Sequence, residues 1–207
     1  TASTWSNDNT IDISWTAATD TDGSGVDGYS YTWDTTADSV IDTSKDIEED
    51  ITTLTSAVLD DGDSHYFHIR TKDNVGNWTA TEHLGPFYID TTNSSGPSSF
   101  LSSSHTVSTW SSDATVDISW TAATDTGGSG LDGYSYTWDT TTDTTPNTSK
   151  DIEEGITSLT SSSLSDGASN YFHIRAVDNA GNWSSPVHFG PFYIDTTNPT
   201  DPIDLTS

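Results

Sequence analysis

The segment GYSYTWD, at residues 28–34, recurs unchanged at residues 133–139 and decides the fold. The same offset of 105 residues (28 to 133) relates three further repeated segments: ISWTAATD from residue 13, YFHIR from residue 66 and GPFYIDTTN from residue 85. Solenoid repeats have periods of about 20–50 residues, whereas a period of this length copies a whole domain. The sequence therefore predicts two copies of one domain.

Within each copy, apolar side chains alternate with polar ones. Tyr29, Tyr31 and Trp33 alternate with Ser30 and Thr32, which is typical of antiparallel strands with one buried face. No stretch has a helical period. The strands that we predict in the first copy lie near residues 10–17, 26–34, 51–59, 65–72 and 82–90. The expected fold class is all-β, with two tandem Ig-like antiparallel β-sandwiches.

Composition excludes several classes of function. Five Lys and Arg residues oppose 32 Asp and Glu residues, giving a formal charge of −27. Nucleic acid and anionic membrane surfaces are therefore not expected as partners, whereas cations are. No apolar run is long enough for membrane insertion. The chain has no Cys and no nucleophile elbow, zinc-protease motif or phosphate-binding loop, so we predict that it is not an enzyme.

Several motifs resemble those of a known family, the extracellular fibronectin type III domains of prokaryotes. The interdomain linkers are similar to those between Ig-like repeats of bacterial and archaeal surface proteins. The resemblance implies a fibronectin type III-like sandwich in an extracellular, cell-surface or secreted protein. The motifs that carry it are Trp15, Gly28-Tyr29, DNVGNW at 73–78, AVDNAGNW at 176–183, and the linkers at 89–93 and 194–199.

Two features of the strand predicted near residues 65–72 lead to separate expectations. The family usually has a Tyr at the corner before this strand, where its hydroxyl binds the backbone, but the chain has His65 and Asn170 there. Alternation also points Tyr66, His68 and Arg70 away from the core, so we expect them on an exposed sheet face.

The period predicts the domain boundaries. Residues 1–95 form a first repeat that lacks its first strand, and residues 96–198 form a second repeat. Residues 199–207 match the opening strand of the second repeat, with Pro202 aligned to Pro97 and Leu205 to Phe100. Either the chain is a piece of a longer array, or Pro202, Ile203 and Leu205 donate a strand to the first repeat of another copy.

An acidic loop predicts a calcium site in the first repeat. Asp20, Asp22 and Ser24 match the first, third and fifth ligand positions of an EF-hand loop, and Gly25 matches the sixth. An ordinary Asp/Gly turn suits the same residues. In the second repeat Gly127 replaces Asp22. The further candidate ligands of Ca²⁺ are Asp27, Asp73, Asn74, Asp125, Asp132 and Asp178.

Four sequons predict glycosylation, at Asn77, Asn93, Asn147 and Asn182. Two of them, Asn77 and Asn182, recur at the same turn.

Near-identical copies favour a structural function. We expect a repeat unit of an extracellular stalk, sheath, S-layer-like coat or filament, whose partners are copies of itself or neighbouring repeats. The alternative is an adhesin or a carbohydrate-binding accessory module of a larger secreted protein.

Overall fold

The computed structural model describes residues 1–203, which form two units. The first unit comprises Thr1–Thr92, and the second begins at Asn93. The strands of the first unit are β1 (Trp5–Ser6), β2 (Asp12–Ser14), β3 (Val26–Asp34), β4 (Ile47–Glu48), β5 (Thr53–Thr55), β6 (Gly62–Asp73) and β7 (Glu82–Ile89).

The strands of the second unit follow the same order after one additional strand. They are β8 (Ser98–Ser102), β9 (Trp110–Ser111), β10 (Asp117–Thr121), β11 (Leu131–Asp139), β12 (Ile152–Glu153), β13 (Ser158–Thr160), β14 (Gly167–Asp178) and β15 (Val187–Ile194). The additional strand is β8, which has no counterpart among the described residues of the first unit.

Each unit contains two facing groups of strands. In the first unit a five-stranded sheet has the order β1-β7-β6-β3-β4, and β2 pairs with β5. In the second unit the sheet β12-β11-β14-β15-β9 faces a three-stranded sheet, β13-β10-β8. The pairings are antiparallel except that β1 runs parallel to β7, and β9 to β15. The all-β prediction is confirmed, and the described residues contain no helix that could span a membrane.

Aromatic side chains fill both cores. Phe172 lies at the centre of the second core, where it contacts Trp120, Tyr136 and Trp138 at ring-centroid distances of 5.2–6.1 Å. In the first core Phe67 takes the same place against Trp15, Tyr31 and Trp33. These rings come from the alternating apolar positions of the repeated segments. Each buries a large apolar area, which explains how a polar chain maintains two cores.

The Gly that begins the repeated GYSYTWD segment is required by a close strand contact. Gly28 and Gly133 have φ values of 152° and 158°, a region that other residues rarely adopt. A Cβ on either residue would overlap the carbonyl oxygen of Ile47 or Ile152, respectively, on the short neighbouring strand. The two Gly residues therefore allow β4 and β12 to join the edges of the large sheets.

Candidate functional site

An apolar groove runs along β2 and β7 in the first repeat. The groove has a volume of about 610 Å³ and its lining includes Ile11, Ile13, Leu84 and Phe87. Leu84 is 46% exposed. Among residues 1–203, β2 pairs with β5 alone, and the other edge of β2 borders this groove. An apolar groove beside an unpaired strand edge can accept an extended peptide.

The first acidic loop lies against the turn that follows β6. The side-chain amide of Asn74 donates a hydrogen bond to the Ser24 carbonyl at 2.9 Å. Within the loop, the carboxylate of Asp20 accepts a hydrogen bond from the Gly25 amide at 2.9 Å. Asp22 is exposed and has φ of 63°. The structure thus brings together the two segments that the sequence proposed as a calcium site, and Asp20 also caps its own turn.

The Asp73 carboxylate is occupied by hydrogen bonds of its turn. It accepts from the backbone amides of Val75 and Asn77 at 3.0 and 2.8 Å, and from the Asn77 side chain at 2.7 Å. Desolvation raises the pKa of Asp73, but these hydrogen bonds outweigh it and leave the pKa below its ordinary value. The carboxylate is therefore ionised at neutral pH and holds the turn.

The second repeat has the same arrangement with fewer exposed carboxylates. Asp125 accepts a hydrogen bond from the Gly130 amide at 2.7 Å, and the Asn179 side chain donates to the Ser129 carbonyl at 3.0 Å. Asp178 is buried and accepts from two backbone amides of its turn. Both repeats therefore use their first and last acidic residues as turn caps.

The two remaining aspartates of the proposed metal sites form ion pairs. Asp27 lies 3.1 Å from the ammonium of Lys45 and 2.8 Å from that of Lys72, which lower its pKa. Asp132 lies 2.9 Å from the Lys150 ammonium, and this contact raises the pKa of Lys150. In the structure, lysine ammonium groups therefore occupy the cation-binding positions of both carboxylates.

Three of the four sequon asparagines are exposed: Asn77, Asn93 and Asn147. Asn182 is half-buried, and its side-chain amide donates to Asp178 at 2.9 Å. The amide of Asn77 makes the equivalent contact with Asp73. A glycan on either turn asparagine would replace one of the two hydrogens on this amide nitrogen and leave the other to donate to the aspartate.

The prediction of an exposed face is wrong for His68, and Tyr66 and Arg70 on the same face are half-buried. His68 and His173 are 0% exposed, although they point away from the core. Nδ1 of His68 forms a hydrogen bond of 2.6 Å with Nδ1 of His83. Nε2 of His68 lies 3.1 Å from the carboxylate of Asp34. Tyr66 stacks against the imidazole. Alternation predicts the direction of a side chain, but not the neighbours that cover it.

The same imidazole pair occurs in the second repeat. Nδ1 of His173 lies 2.7 Å from Nδ1 of His188, and its Nε2 lies 3.1 Å from Asp139. Burial lowers the pKa of His173, against the effect of the Asp139 carboxylate. An Nε2–H donor to Asp139 leaves Nδ1 of His173 as the acceptor for His188. The group joins three strands, β11, β14 and β15. The sequence contained one indication of this group, because His83 recurs as His188 at the 105-residue period.

The arginine of each outward-facing strip stacks on the turn tryptophan. The guanidinium of Arg70 lies 4.6 Å from the ring centre of Trp78, and that of Arg175 lies 4.5 Å from the ring centre of Trp183. Cation–π contacts of this kind stabilise the turn after β6 and β14.

The corner before β6 uses other side chains in place of Tyr. Nε2 of His65 lies 2.8 Å from the carbonyl oxygen of Asp60. In the second repeat, the amide of Asn170 donates to the carbonyl of Ser165 at 3.2 Å. Both side chains bind a backbone carbonyl five residues upstream. The corner residue therefore differs from the Tyr of the family pattern, but a hydrogen bond from its side chain to the backbone is retained.

Each repeat also carries an aromatic pair beside its parallel strand edge. Trp110 and Tyr193 have ring centres 5.2 Å apart, and Trp110 is 58% exposed. Trp5 and Tyr88 form the same pair at 5.2 Å. Of the predicted assembly residues, Pro202 and Ile203 are exposed and form no strand, and Leu205 lies outside the described residues.

The strand order, the antiparallel pairing and the aromatic core of each unit are those of an Ig-like sandwich of the fibronectin type III kind. The chain is a pair of fibronectin type III-like repeats. No protein-family model matches it. It is similar to Exoglucanase B of Cellulomonas fimi, with 28% identity over 86% of this chain and 15% of that protein. It is 32% identical to Chitinase A1 of Niallia circulans over 86% of this chain and 22% of that protein.

Among solved structures, the chain is similar to the fibronectin(III)-like modules of Clostridium thermocellum CbhA. The identity is 12% and the TM-score is 0.43, over 98% of this chain and 94% of that one. The pair of fibronectin type III-like repeats thus spans less than a quarter of the length of the two enzymes that it matches.

Proposed function

We propose that the two repeats are a non-catalytic structural unit of a larger extracellular protein, acting as a spacer in a surface stalk, sheath, S-layer-like coat or filament. This proposal is supported by one observation: in both copies, the equivalent polar side chains make the same contacts within their own repeat. The Asp–His–His groups join strands, and the acidic residues cap turns. A ligand-specific or catalytic site would be expected to differ between copies and to leave such groups open to a ligand.

The two relatives support the same function. The chain matches a minor part of an exoglucanase and of a chitinase, and a non-catalytic repeat shared by enzymes of different activities would serve to connect or space other domains. Such a role suits repeats of a secreted or cell-surface protein.

Force spectroscopy tests the spacer role directly. The chain is placed between marker domains and stretched repeatedly. We expect two unfolding events per chain that recover after relaxation, because each repeat has its own core. Hydrolysis of cellulose or chitin by the isolated chain, lost on substitution of a single carboxylate, would contradict a non-catalytic role.

A carbohydrate-binding accessory role is the second candidate, and the exposed Trp110 favours it. An exposed indole beside Tyr193 offers a flat apolar surface on which a sugar ring can stack. Partition of the chain onto insoluble cellulose and chitin tests this function, with the variant Trp110→Ala as the control. Retention that the substitution abolishes would favour the binding role over the spacer.

Calcium binding and glycosylation are further proposals for the extracellular unit. The contact between Asn74 and Ser24 supports the calcium proposal, because it closes the acidic loop against the next turn. Calorimetric titration with Ca²⁺ is compared with the variant Asp20→Asn, and no heat in either protein would contradict it. Mass spectrometry of the protein from its natural source tests glycans at the exposed sequons, including Asn93 and Asn147.

A further inference from the structure

The segment that joins the two repeats is held by a carboxylate of the first repeat. Asp61 lies in the corner before β6, and both of its oxygens accept hydrogen bonds from the last two residues of the first unit. Oδ1 of Asp61 accepts from the backbone amide of Thr91 at 2.8 Å and from the hydroxyl of Thr91 at 2.9 Å. Oδ2 accepts from the hydroxyl of Thr92 at 2.7 Å. We call these three hydrogen bonds the linker clamp.

The strand register explains why this carboxylate reaches the linker. Gly62 begins β6 and lies opposite Ile89, the last residue of β7. Because the two strands are antiparallel, the residue before Gly62 lies beside the residues that follow Ile89. The two adjacent threonine hydroxyls then reach one carboxylate oxygen each. The pairing of β6 with β7 therefore positions the linker clamp.

The second repeat contains an equivalent clamp. Oδ1 of Asp166 accepts from the amide and the hydroxyl of Thr196 at 2.9 and 2.8 Å, and Oδ2 accepts from the hydroxyl of Thr197 at 2.7 Å. The Thr196 amide and the two hydroxyls lower the pKa of Asp166, so this acceptor is ionised at neutral pH. Hydrogen bonds to an ionised acceptor are stronger than those between neutral groups. The contacts of one carboxylate can therefore hold the two threonines in place.

The linker is attached to the repeats on both sides of the clamped residues. Before them, the amide of Asp90 donates to the Ser6 carbonyl on β1 at 2.9 Å. After them, the amide of Ser95 donates to the Thr124 carbonyl of the second repeat at 2.8 Å. Two residues, 93 and 94, lie between the clamp and this last attachment. Tandem domains move relative to one another by default, and so short a segment limits this motion.

We propose that Asp61 is a positioning residue for the neighbouring repeat, because its carboxylate fixes the direction in which the chain leaves the first repeat. The inference rests on the proposed structural function, since it names the group that makes the spacer stiff. Without the clamp, residues 91–94 instead of 93–94 separate the attached segments. The end-to-end distance of a flexible segment grows with the square root of its length, so doubling the segment increases its displacement about 1.4-fold.

The test measures the distribution of distances between two spin labels, one in each repeat of the full chain, by double electron–electron resonance. The labels are attached through Val40→Cys and Thr145→Cys, which replace exposed residues in a chain that has no Cys of its own. Asp61→Ala should broaden the distribution about 1.4-fold. Hydrogen exchange should become faster at the amide of Thr91, because this amide loses its acceptor. Circular dichroism checks that each variant folds.

The second repeat supplies a matched control. Asp166→Ala removes the same contacts from the segment that follows the second repeat and leaves the linker between the repeats clamped. The width of the distribution should not change in this variant. Two further double variants separate the hydroxyls from the shape of the threonines. Thr91→Val with Thr92→Val removes both hydroxyl donors and should broaden the distribution, whereas Thr91→Ser with Thr92→Ser keeps them and should not.

Three results would overturn the proposal. Unchanged exchange at Thr91 in Asp61→Ala would mean that the clamp does not hold the linker in solution. Faster exchange with an unchanged width would mean that the clamp holds the linker and does not set its direction. Equal broadening in Asp61→Ala and Asp166→Ala would assign the effect to a general loss of stability. The structural function would fail separately, through the absence of two recoverable unfolding events under force.

Discussion

Replacement of Phe100 by Ala should destabilise the second repeat selectively. Truncation of a fully buried Phe costs about 3–5 kcal/mol. Phe100 is half-buried and has two aromatic neighbours, Phe172 and Phe189, so we expect a loss of about 2–3 kcal/mol in the free energy of unfolding. The loss comes from the uncovered core side chains and from weaker attachment of β8 to β10.

Hydrogen exchange followed by mass spectrometry measures this effect repeat by repeat. Because a factor of ten corresponds to about 1.4 kcal/mol, amides of β10 and β14 that exchange by unfolding of the repeat should exchange roughly 30- to 150-fold faster in Phe100→Ala. Peptides of the first repeat should be unchanged. Leu84→Ala is the matched control, and it should change exchange in the first repeat by less than about fivefold, because Leu84 is 46% exposed. A change below threefold for Phe100→Ala, or an equal change in both repeats, would refute the reasoning.

Three further predictions concern the second repeat. Burial lowers the pKa of His173. Its contribution to stability is therefore present above about pH 6.5 and is lost as the pH falls through the lowered pKa. Thermal melting as a function of pH should show this loss of stability, and His173→Gln should make the loss smaller. If His173→Gln left the acid dependence unchanged, His188 or another group would be responsible. Arg175→Ala removes the stacking on Trp183 and should lower stability by about 0.5–1 kcal/mol in urea unfolding, and an unchanged midpoint would contradict this contact. Asp178→Ala leaves two backbone amides of its turn without an acceptor and should cost about 1–3 kcal/mol, measured in the same way; a neutral result would contradict the capping role.

The long strands were predictable because their residues alternate and recur. β3 was predicted at 26–34, which are its bounds in the structure. The strands β1 and β4 were not predicted. Each has two residues, which is too short for a period to show, and each depends on pairing with a strand that is distant in sequence. Trp5, for example, pairs with Tyr88.

The candidate sites were less predictable because burial and ion pairing depend on residues from other strands. The sequence identified the acidic loops as candidate calcium sites, but it did not show that Asp27 forms ion pairs with two lysines. It placed His68 on the outer face correctly and missed the cover that Tyr66 and His83 provide. Calcium at these loops and glycans at the sequons stay predictions.

The central claim is that the repeated polar groups of each unit hold its own strands and turns and serve no ligand or reaction. Incubation of the chain with insoluble cellulose and chitin, with measurement of the protein retained and of the sugar released, tests this claim most directly. The account predicts neither retention nor release of sugar. Retention that Trp110→Ala abolishes, or release of sugar that is lost on substitution of a single carboxylate, would contradict it.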